Sequence, residues 1–414
     1  MKNRVVITGI GVVAPNGIGV VPFWQALIKG TNCVDTITFF DPAQHPAQVA
    51  AEIKNFDYKN YLSHEVARKM DRSSHFAIAA ALEAVDDGAF KIKNENRDKI
   101  GVVLGSAAGG LGFYEKQMQV FWQGKGQGID EQTLLATSSG TVSEEVSNLF
   151  GFSGPSIIIS NGCTSANDAI GMSANFIRSG ELDVVFTGGS DACITPGIVG
   201  AFCRLGALST KRNHEPKKAS RPFNIDRDGF VISEGSWVLI LEKMEHALER
   251  GASIYAEVAG YGATCDAYHI TKPLPSGEET ARAIKMALKE GNVEPEKLSY
   301  INAHGTSTEL NDKTETLAIK KALGKHAYSV SVSSMKSMIG HAIGAAGAGG
   351  VAVCALAIKN DFIPPTINYE SPDPECDLDY VWNTGRKKIV EAALGNSIGF
   401  GSKNAAVVLT KYKG

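Results

Sequence analysis

The sequence predicts an α/β protein built from two similar halves, and three observations carry that prediction. Short β-branched runs bounded by turn residues alternate with stretches of helical periodicity; "RVVITGIGVVAP", "KIGVVLGSA", "PSIIISNG", "LDVVFTGGSD" and "SWVLILEK" are the clearest strands. That alternation marks an α/β fold. An order of elements then recurs. "FAIAAALEAVDDGAF" followed by "DKIGVVLGSAAGG" matches "ARAIKMALKEGNV" followed by "EKLSYINAHGTST", each an amphipathic helix, a connector, a strand and a small polar turn. Lastly, each half closes on a strand running into a glycine turn, "VVFTGGSD" in one and "AALGNSIGFGS" before "NAAVVLTK" in the other.

Taken in order, the amino terminus "MKNRVVITGIGVVAPNG" opens with two cations and an apolar run. Gly9, Gly11, Pro15 and Gly17 break that run, and it reads as a buried strand rather than a secretory signal. The join of the halves falls near residue 252, before "SIYAEVAGYGA", giving units 1–252 and 253–414. Between the strand "LDVVFTGGSD" and that join lies "KRNHEPKKASRPFNIDRDGF", polar and turn-rich, expected as a surface insertion on the first half.

With 414 residues, 43% hydrophobic and 21% charged, the chain has material for a large core. A net charge of −3 gives no reason to expect nucleic acid or an anionic membrane as partner. No uninterrupted apolar run is long enough to suggest a membrane-spanning helix. The seven cysteines (Cys33, Cys163, Cys193, Cys203, Cys265, Cys354 and Cys376) are odd in number, widely spaced and never in a C-x-x-C pair. Neither a disulfide framework nor a zinc site is indicated, and a reducing cytoplasm is the simplest setting.

Three stretches carry chemistry. In "ISNGCTSANDAIG" a cysteine, Cys163, lies between a strand pattern and a helix pattern, where unpaired N–H groups and the positive end of the helix dipole are expected to lower its pKa. That stretch alone fits a nucleophile and a buried structural cysteine equally well. "INAHGTSTELND" places His304 directly after a strand, followed by Thr306 and Thr308. "SSMKSMIGHAIGAAGAGG" places Lys336 and His341 ahead of a helix so rich in glycine and alanine that something must pack closely against it. A lone histidine beside glycine is usually structural; one thiol and two imidazoles at strand ends of a repeated frame point instead to a shared site.

At these residues the sequence resembles the β-ketoacyl-acyl carrier protein synthases, ketosynthases of thiolase-type fold, and above all their synthase II type. The resemblance runs from "VVITGIGVVAPNG" through "ASRPFNIDRDGFVISEG", "DAYHIT", "AHGTSTELNDKTE" and "KSMIGHAIGAAG" to "PPTINYESPDPECDLDYV" and "NSIGFGS". It implies a layered α-β-α-β-α arrangement. It also implies decarboxylative Claisen condensation of an acyl-Cys163 intermediate with malonyl-acyl carrier protein, in fatty acid or polyketide elongation.

The resemblance assigns His304 and His341 to the malonyl unit and a second oxyanion hole to the backbone N–H groups of Cys163 and Phe400. It assigns Lys336 a place beside the site, paired with Glu315 and supported by Asp312, and gives the phosphopantetheine arm to Thr306 and Thr308. Gly399, Phe400 and Gly401 form its gating turn, while Arg68, Lys69 and Arg204, with Lys211 and Arg212, are the expected carrier-protein rim. "SAAGGLGFYEKQ" and "TLLATSS" are expected tunnel walls. No metal or organic cofactor is implied, since the phosphopantetheine arrives on the carrier protein.

The strand "PSIIIS" matches the family's dimer-interface strand. The partner implied is an identical chain or a related chain-length factor; in the latter case this chain is the catalytic α subunit of a polyketide or polyene ketosynthase. A subunit kept only for pairing would have lost Cys163, and a degradative thiolase would carry a second cysteine in "NSIGFGSKN". The family often reads "GFGG-T-N" where this chain has "GFGSKN", so Ser402 and Lys403 alter the turn behind Phe400. Asp168 looks like the ketosynthase subunits of polyketide systems, whereas "TSTELNDKTE" looks like ordinary synthase II.

Overall fold

In a computed structural model, which describes residues 3–124 and 126–414, the two halves share one order of elements. The first half contributes β1 (Val5–Ala14), α1 (Arg72–Asp87), β2 (Ile100–Gly105), α2 (Leu111–Gln123), β3 (Ser156–Ile159), α3 (Ser165–Ser179), β4 (Val184–Ala192) and β5 (Ile232–Lys243). The second contributes β6 (Ala256–Cys265), α4 (Glu278–Glu290), β7 (Tyr300–Asn302), α5 (Glu309–Leu323), β8 (Ser331–Ser333), α6 (Ala346–Asn360), β9 (Ala392–Gly399) and β10 (Lys403–Thr410).

Along the sheet these strands run β8-β7-β9-β10-β6-β1-β5-β4-β2-β3, an order that reads alike outward from its centre. In each half the outer three strands are parallel, and the inner two are antiparallel to their neighbours. The halves meet where β1 pairs antiparallel with β6 through Val6 and Ile7.

Glycines in the strands mark where helices come close. α1 starts on an Asp71 cap, whose carboxylate accepts the Ser73 N–H at 2.8 Å, and lies across β1 and β5. A Cβ on Gly11 would stand 1.7 Å from the Ala80 carbonyl oxygen, so the "TGIG" of the first strand is what lets α1 settle. α4 takes the equivalent place on β6 and β10.

α3 and α6 form the middle layer and touch strands of both halves. α6 is buried through Ile358, and the glycines expected to admit a close neighbour do so: a Cβ at Gly347 would meet Asn167 Oδ1 at 2.2 Å. The 18-residue helical stretch Ile343–Asn360 is apolar enough to cross a membrane by composition, with mean hydropathy 1.4, but 89% of it is buried inside this fold. The five layers α-β-α-β-α follow from these contacts, as the sequence led us to expect.

The segment 211–230 differs from expectation. Lys211, His214 and Lys217 are exposed, but Ala219, Ser220, Arg221, Phe223, Asn224 and Arg227 are buried. Phe223 stacks on Tyr380 with ring centroids 3.7 Å apart, and Arg227 pairs with Asp373 at 2.7 Å and Asp312 at 3.4 Å. A polar run therefore docks on the second half, because each buried cation finds a carboxylate far along the chain.

Candidate active site

Cys163, His304 and His341 converge at one place, supplied by both halves. Cys163 lies in a tight turn, Gly162–Thr164, between β3 and α3. Gly162 turns the chain with φ of +63°, which a side chain would strain. His304 follows β7, and His341 follows the short helix Lys336–Ile339. One ligand atom from each of the three residues lies within 4.8 Å of the others, and all three residues are buried.

His341 Nε2 stands 3.1 Å from Cys163 Sγ, and the two imidazoles meet edge to face with centroids 5.1 Å apart. The His341 backbone is pinned on both sides: its N–H donates to the Val231 carbonyl at 2.8 Å, and its carbonyl accepts the Ser233 N–H at 3.0 Å. The Nδ1 atoms of both rings are buried without a hydrogen-bond partner among the described residues. The protein thus fixes neither tautomer, and the ring protons are free to follow sulfur and substrate.

Burial governs the charges. The Cys163 thiol is pushed up to about 11, because desolvation outweighs the Lys336 charge and the N–H groups of Phe400 and Cys163 that point at the sulfur. The expected lowering by the helix terminus is therefore overturned. His304 and His341 are held well below 6.5, first by burial and then by the nearby Lys336 cation. Burial also lowers Lys336 to about 8.

Lys336 and Glu315 are not in contact: among the described residues no carboxylate oxygen lies within 4.0 Å of Lys336 Nζ. Glu315 is occupied elsewhere, accepting the N–H groups of His304 at 2.7 Å and Gly305 at 2.8 Å, and the Asn396 amide at 2.6 Å. It holds the His304 turn and reaches Lys336 only through its field. Asp312 supports the same region, accepting the Phe223 N–H at 2.9 Å.

A cavity of about 750 Å³ leads to this cluster. Thr306 and Thr308, with hydroxyls 3.0 Å apart, line it together with Gly399 and Phe400. Phe400 is 36% exposed, and Gly399 brings its strand so near that a Cβ there would be 3.2 Å from the Cys163 nitrogen.

Of the expected tunnel walls, Ala107, Ala108 and Leu111 line the cavity. The helix Thr133–Thr137 does not; it leaves Leu134 and Leu135 on the surface, 81% and 62% exposed. Arg68 and Lys69 lie off the cavity wall, near Asp130 and Glu65 at 4.0 Å each. Arg204 is exposed beside the lining residue Leu205, and Arg212 pairs with Asp226. The cations on the wall are Lys211, Lys272 and Arg227.

Sequence reasoning missed Asp191, at the end of β4. Its buried carboxylate accepts Ser106 Oγ at 2.7 Å and the N–H groups of Ala107, Ala108 and Gly344, tying two wall segments together. An acidic residue directly after the strand "VVFTGGS" was the available signal.

With this geometry in hand, comparison with known proteins settles the lineage. Residues 2–247 match the family model "Beta-ketoacyl synthase, N-terminal domain", and residues 255–370 match "Beta-ketoacyl synthase, C-terminal domain". The chain belongs to the β-ketoacyl synthase family. As a family member it is 45% identical to 3-oxoacyl-[acyl-carrier-protein] synthase 2 of Synechocystis sp., over 100% of this chain and 99% of the relative. It is 42% identical to the tetracenomycin polyketide synthase ketoacyl synthase alpha subunit of Streptomyces glaucescens, over 100% and 98%.

Among solved structures, this β-ketoacyl synthase superposes with TM-score 0.93 at 34% identity, over 100% of both chains, on a chain from a type II polyketide synthase acyl-carrier protein complex with its ketosynthase bound to the hexaketide. On the ishigamide ketosynthase/chain length factor the TM-score is 0.92 at 34% identity, again over 100% of both chains.

Proposed function

We propose that this synthase condenses an acyl group held on Cys163 with malonyl-acyl carrier protein, releasing CO₂ and giving β-ketoacyl-acyl carrier protein. The observation that carries the reading is the convergence of one thiol and two imidazoles at a cavity wide enough for a thioester arm.

Cys163 sulfur attacks the acyl thioester while His341 Nε2, at 3.1 Å, takes the thiol proton. The carrier thiolate leaves and is protonated, and the acyl chain lies along Ala107, Ala108, Cys193, Ile198 and Phe202. The N–H groups of Cys163 and Phe400 stabilise the tetrahedral oxyanion. Malonyl thioester then loses CO₂; its electron pair becomes an enolate whose oxygen accepts from His304 and His341, and the enolate carbon displaces Cys163 sulfur. Phe400 is the movable wall that admits each substrate.

No metal enters this scheme. Cysteine and two histidines are ligand types for a divalent cation, but the buried Lys336 cation close enough to depress both imidazoles opposes a second positive charge there. Dialysis of the protein against a chelator is expected to leave condensation unchanged; a loss restored by added zinc would refute the metal-free reading.

The partners are an acyl carrier protein at the cavity mouth and a second copy or a related chain-length factor along β3. Seven free cysteines support a cytoplasmic setting.

The test is intact mass spectrometry after adding acyl-carrier protein loaded with a medium-length chain, then malonyl carrier protein. Cys163 is expected to gain the acyl mass, and a β-ketoacyl product to follow. Cys163→Ala is expected to lose condensation by more than ~10³-fold. A double His304→Ala/His341→Ala variant is expected to keep part of the acylation and lose condensation. Condensation by the cysteine variant would sink the assignment.

A further inference from the structure

The turn that presents Cys163 is held from behind by one carboxylate, Asp168, in the first turn of α3. Its Oδ2 accepts the Asn161 amide at 2.9 Å and the Thr164 hydroxyl at 2.9 Å. Those two residues bracket Gly162 and Cys163, so a single oxygen gathers both ends of the nucleophile turn. The bracket is closed again by the Asn161 carbonyl, 3.1 Å from the same Thr164 hydroxyl. Lys403, one of the two departures in the turn behind Phe400, reaches Asn161 Oδ1 at 3.4 Å.

Asp168 is itself held from the other half. Tyr261, on β6, donates its hydroxyl to Asp168 Oδ1 at 2.7 Å. Its ring reaches that far because α3 has a glycine beneath it: a Cβ at Gly171 would stand 2.4 Å from Tyr261 Cγ and 2.5 Å from Cδ1 and Cδ2. Burial first, and then the Asp168 charge, push the Tyr261 hydroxyl up, so it keeps its proton and donates it. A carboxylate in the first turn of a helix is favoured by the dipole alone. The dipole explains neither Tyr261 over Gly171 nor the two flanking donors. Asn161, Thr164, Asp168 and Tyr261 all stand off the cavity wall. What they influence is therefore the placing of Cys163 rather than the binding of the arm.

We propose that Asp168 and Tyr261 are positioning residues, a clamp between the two halves that fixes Cys163 Sγ within reach of His341. The inference rests on the reading of Cys163 as the nucleophile of condensation. The thiol starts protonated, so its reaction depends on the contact with His341 Nε2 at 3.1 Å, and a turn that drifts loses that contact.

The experiment alkylates the intact protein with a small haloacetamide and reads each cysteine by peptide mass. It needs no carrier protein, so failure of the clamp and failure of the proposed condensation are told apart. Tyr261→Phe, which removes one oxygen, and Asp168→Ala are each expected to slow Cys163 about tenfold. The double variant is expected to be no slower than Asp168→Ala, because Tyr261 acts through Asp168. Asp168→Asn is expected to stay near the wild-type rate: its Oδ1 accepts from Asn161 and Thr164, and its Nδ2 donates to the Tyr261 oxygen. Cys354, fully buried in α6, stays unlabelled wherever the fold is intact. Should Asp168→Ala label it, Tyr261→Phe and Asp168→Asn carry the test. An unchanged or faster Cys163 in Tyr261→Phe overturns the clamp. So do losses that add in the double variant, which would separate the two residues, and an Asp168→Asn as slow as Asp168→Ala, which would leave only the charge.

Discussion

Among single residues, burial sets the charges that the chemistry starts from. With Cys163 pushed up to about 11 and both imidazoles far below 6.5, the resting triad is neutral at pH 7, and Lys336, at about 8, is the nearby cation. A raised thiol pKa means that thiolate grows with pH. Alkylation of Cys163 by a haloacetamide should therefore climb steadily above pH 7 and show no step between pH 6 and 7, where an ordinary histidine would titrate. Lys336→Met removes the charge that favours thiolate, so alkylation between pH 7 and 8, where Lys336 is still charged, is expected to slow, while Lys336→Arg keeps the wild-type rate there. An unchanged rate in Lys336→Met would break the electrostatic link. The sequence made Cys163, His304, His341 and Lys336 legible through their motifs. Their ionisation was not legible, because helix-end placement argues one way for Cys163 and full desolvation, which only packing reveals, argues the other and wins. The same holds for Glu315: the family resemblance implied a pair with Lys336, whereas the folded His304 turn uses its oxygens first.

Among elements, strands and helices with one-sided burial were readable, and long-range polar docking was not. The glycines of α6 announced close packing in advance, whereas those of β1, read only as breaking an apolar run, prove to admit α1 as well. The segment 211–230 hid its role, because what buries Arg227 is Asp312 and Asp373, remote in sequence. A second such knot fastens β5 to β1. Glu242, buried on β5, accepts from Thr8 and is paired with His246 at 2.6 Å and with Arg250 at 2.5 Å, while His246 also meets Glu95 at 2.9 Å. Hydrogen bonds from these donors outweigh burial and lower Glu242 to about 2; Glu242 first, and then Glu95, raise His246 to about 9. The depressed carboxylate stabilises the fold above its ordinary 4.5 and loses that contribution as pH falls toward 2. The raised imidazole stabilises fully below 6.5 and loses its contribution as pH rises through 9. Melting temperature should accordingly be highest between pH 4.5 and 6.5 as far as this knot decides it. From pH 6.5 to 9.5 the knot loses about 2 kcal/mol, a drop of roughly 2 °C that His246→Gln should flatten. A drop of the same size in that variant would place the titration elsewhere.

Over the whole molecule, the near-symmetry of the sheet explains why the site lies where it does. Each half ends its outer parallel strands at the same side, so the turn after β3 that carries Cys163 corresponds to the segment after β8 that leads to Lys336 and His341, while His304 follows β7, the counterpart of β2. β3 is also the last strand of the sheet order, so one side of its backbone lacks a strand partner among the described residues. Beside it, the helix 141–150 packs on β3, the helix Thr133–Thr137 packs on 141–150, and α2 packs on Thr133–Thr137. This ridge exposes Trp122 at 75%, Leu134 at 81% and Leu135 at 62%, an apolar surface of the kind that a stable partner covers. An edge strand that leads straight into the nucleophile turn makes pairing and catalysis one structural problem. In light scattering after gel filtration the purified chain is therefore expected at twice its own mass, and Leu134→Asp/Leu135→Asp is expected to shift it toward a single mass with loss of condensation. A wild-type chain that runs as a monomer and reaches the doubled mass only when co-expressed with a related chain would assign the same surface to a chain-length factor. A dimer untouched by the double substitution would mean that this ridge is not the interface, and that the edge of β3 alone holds the pair.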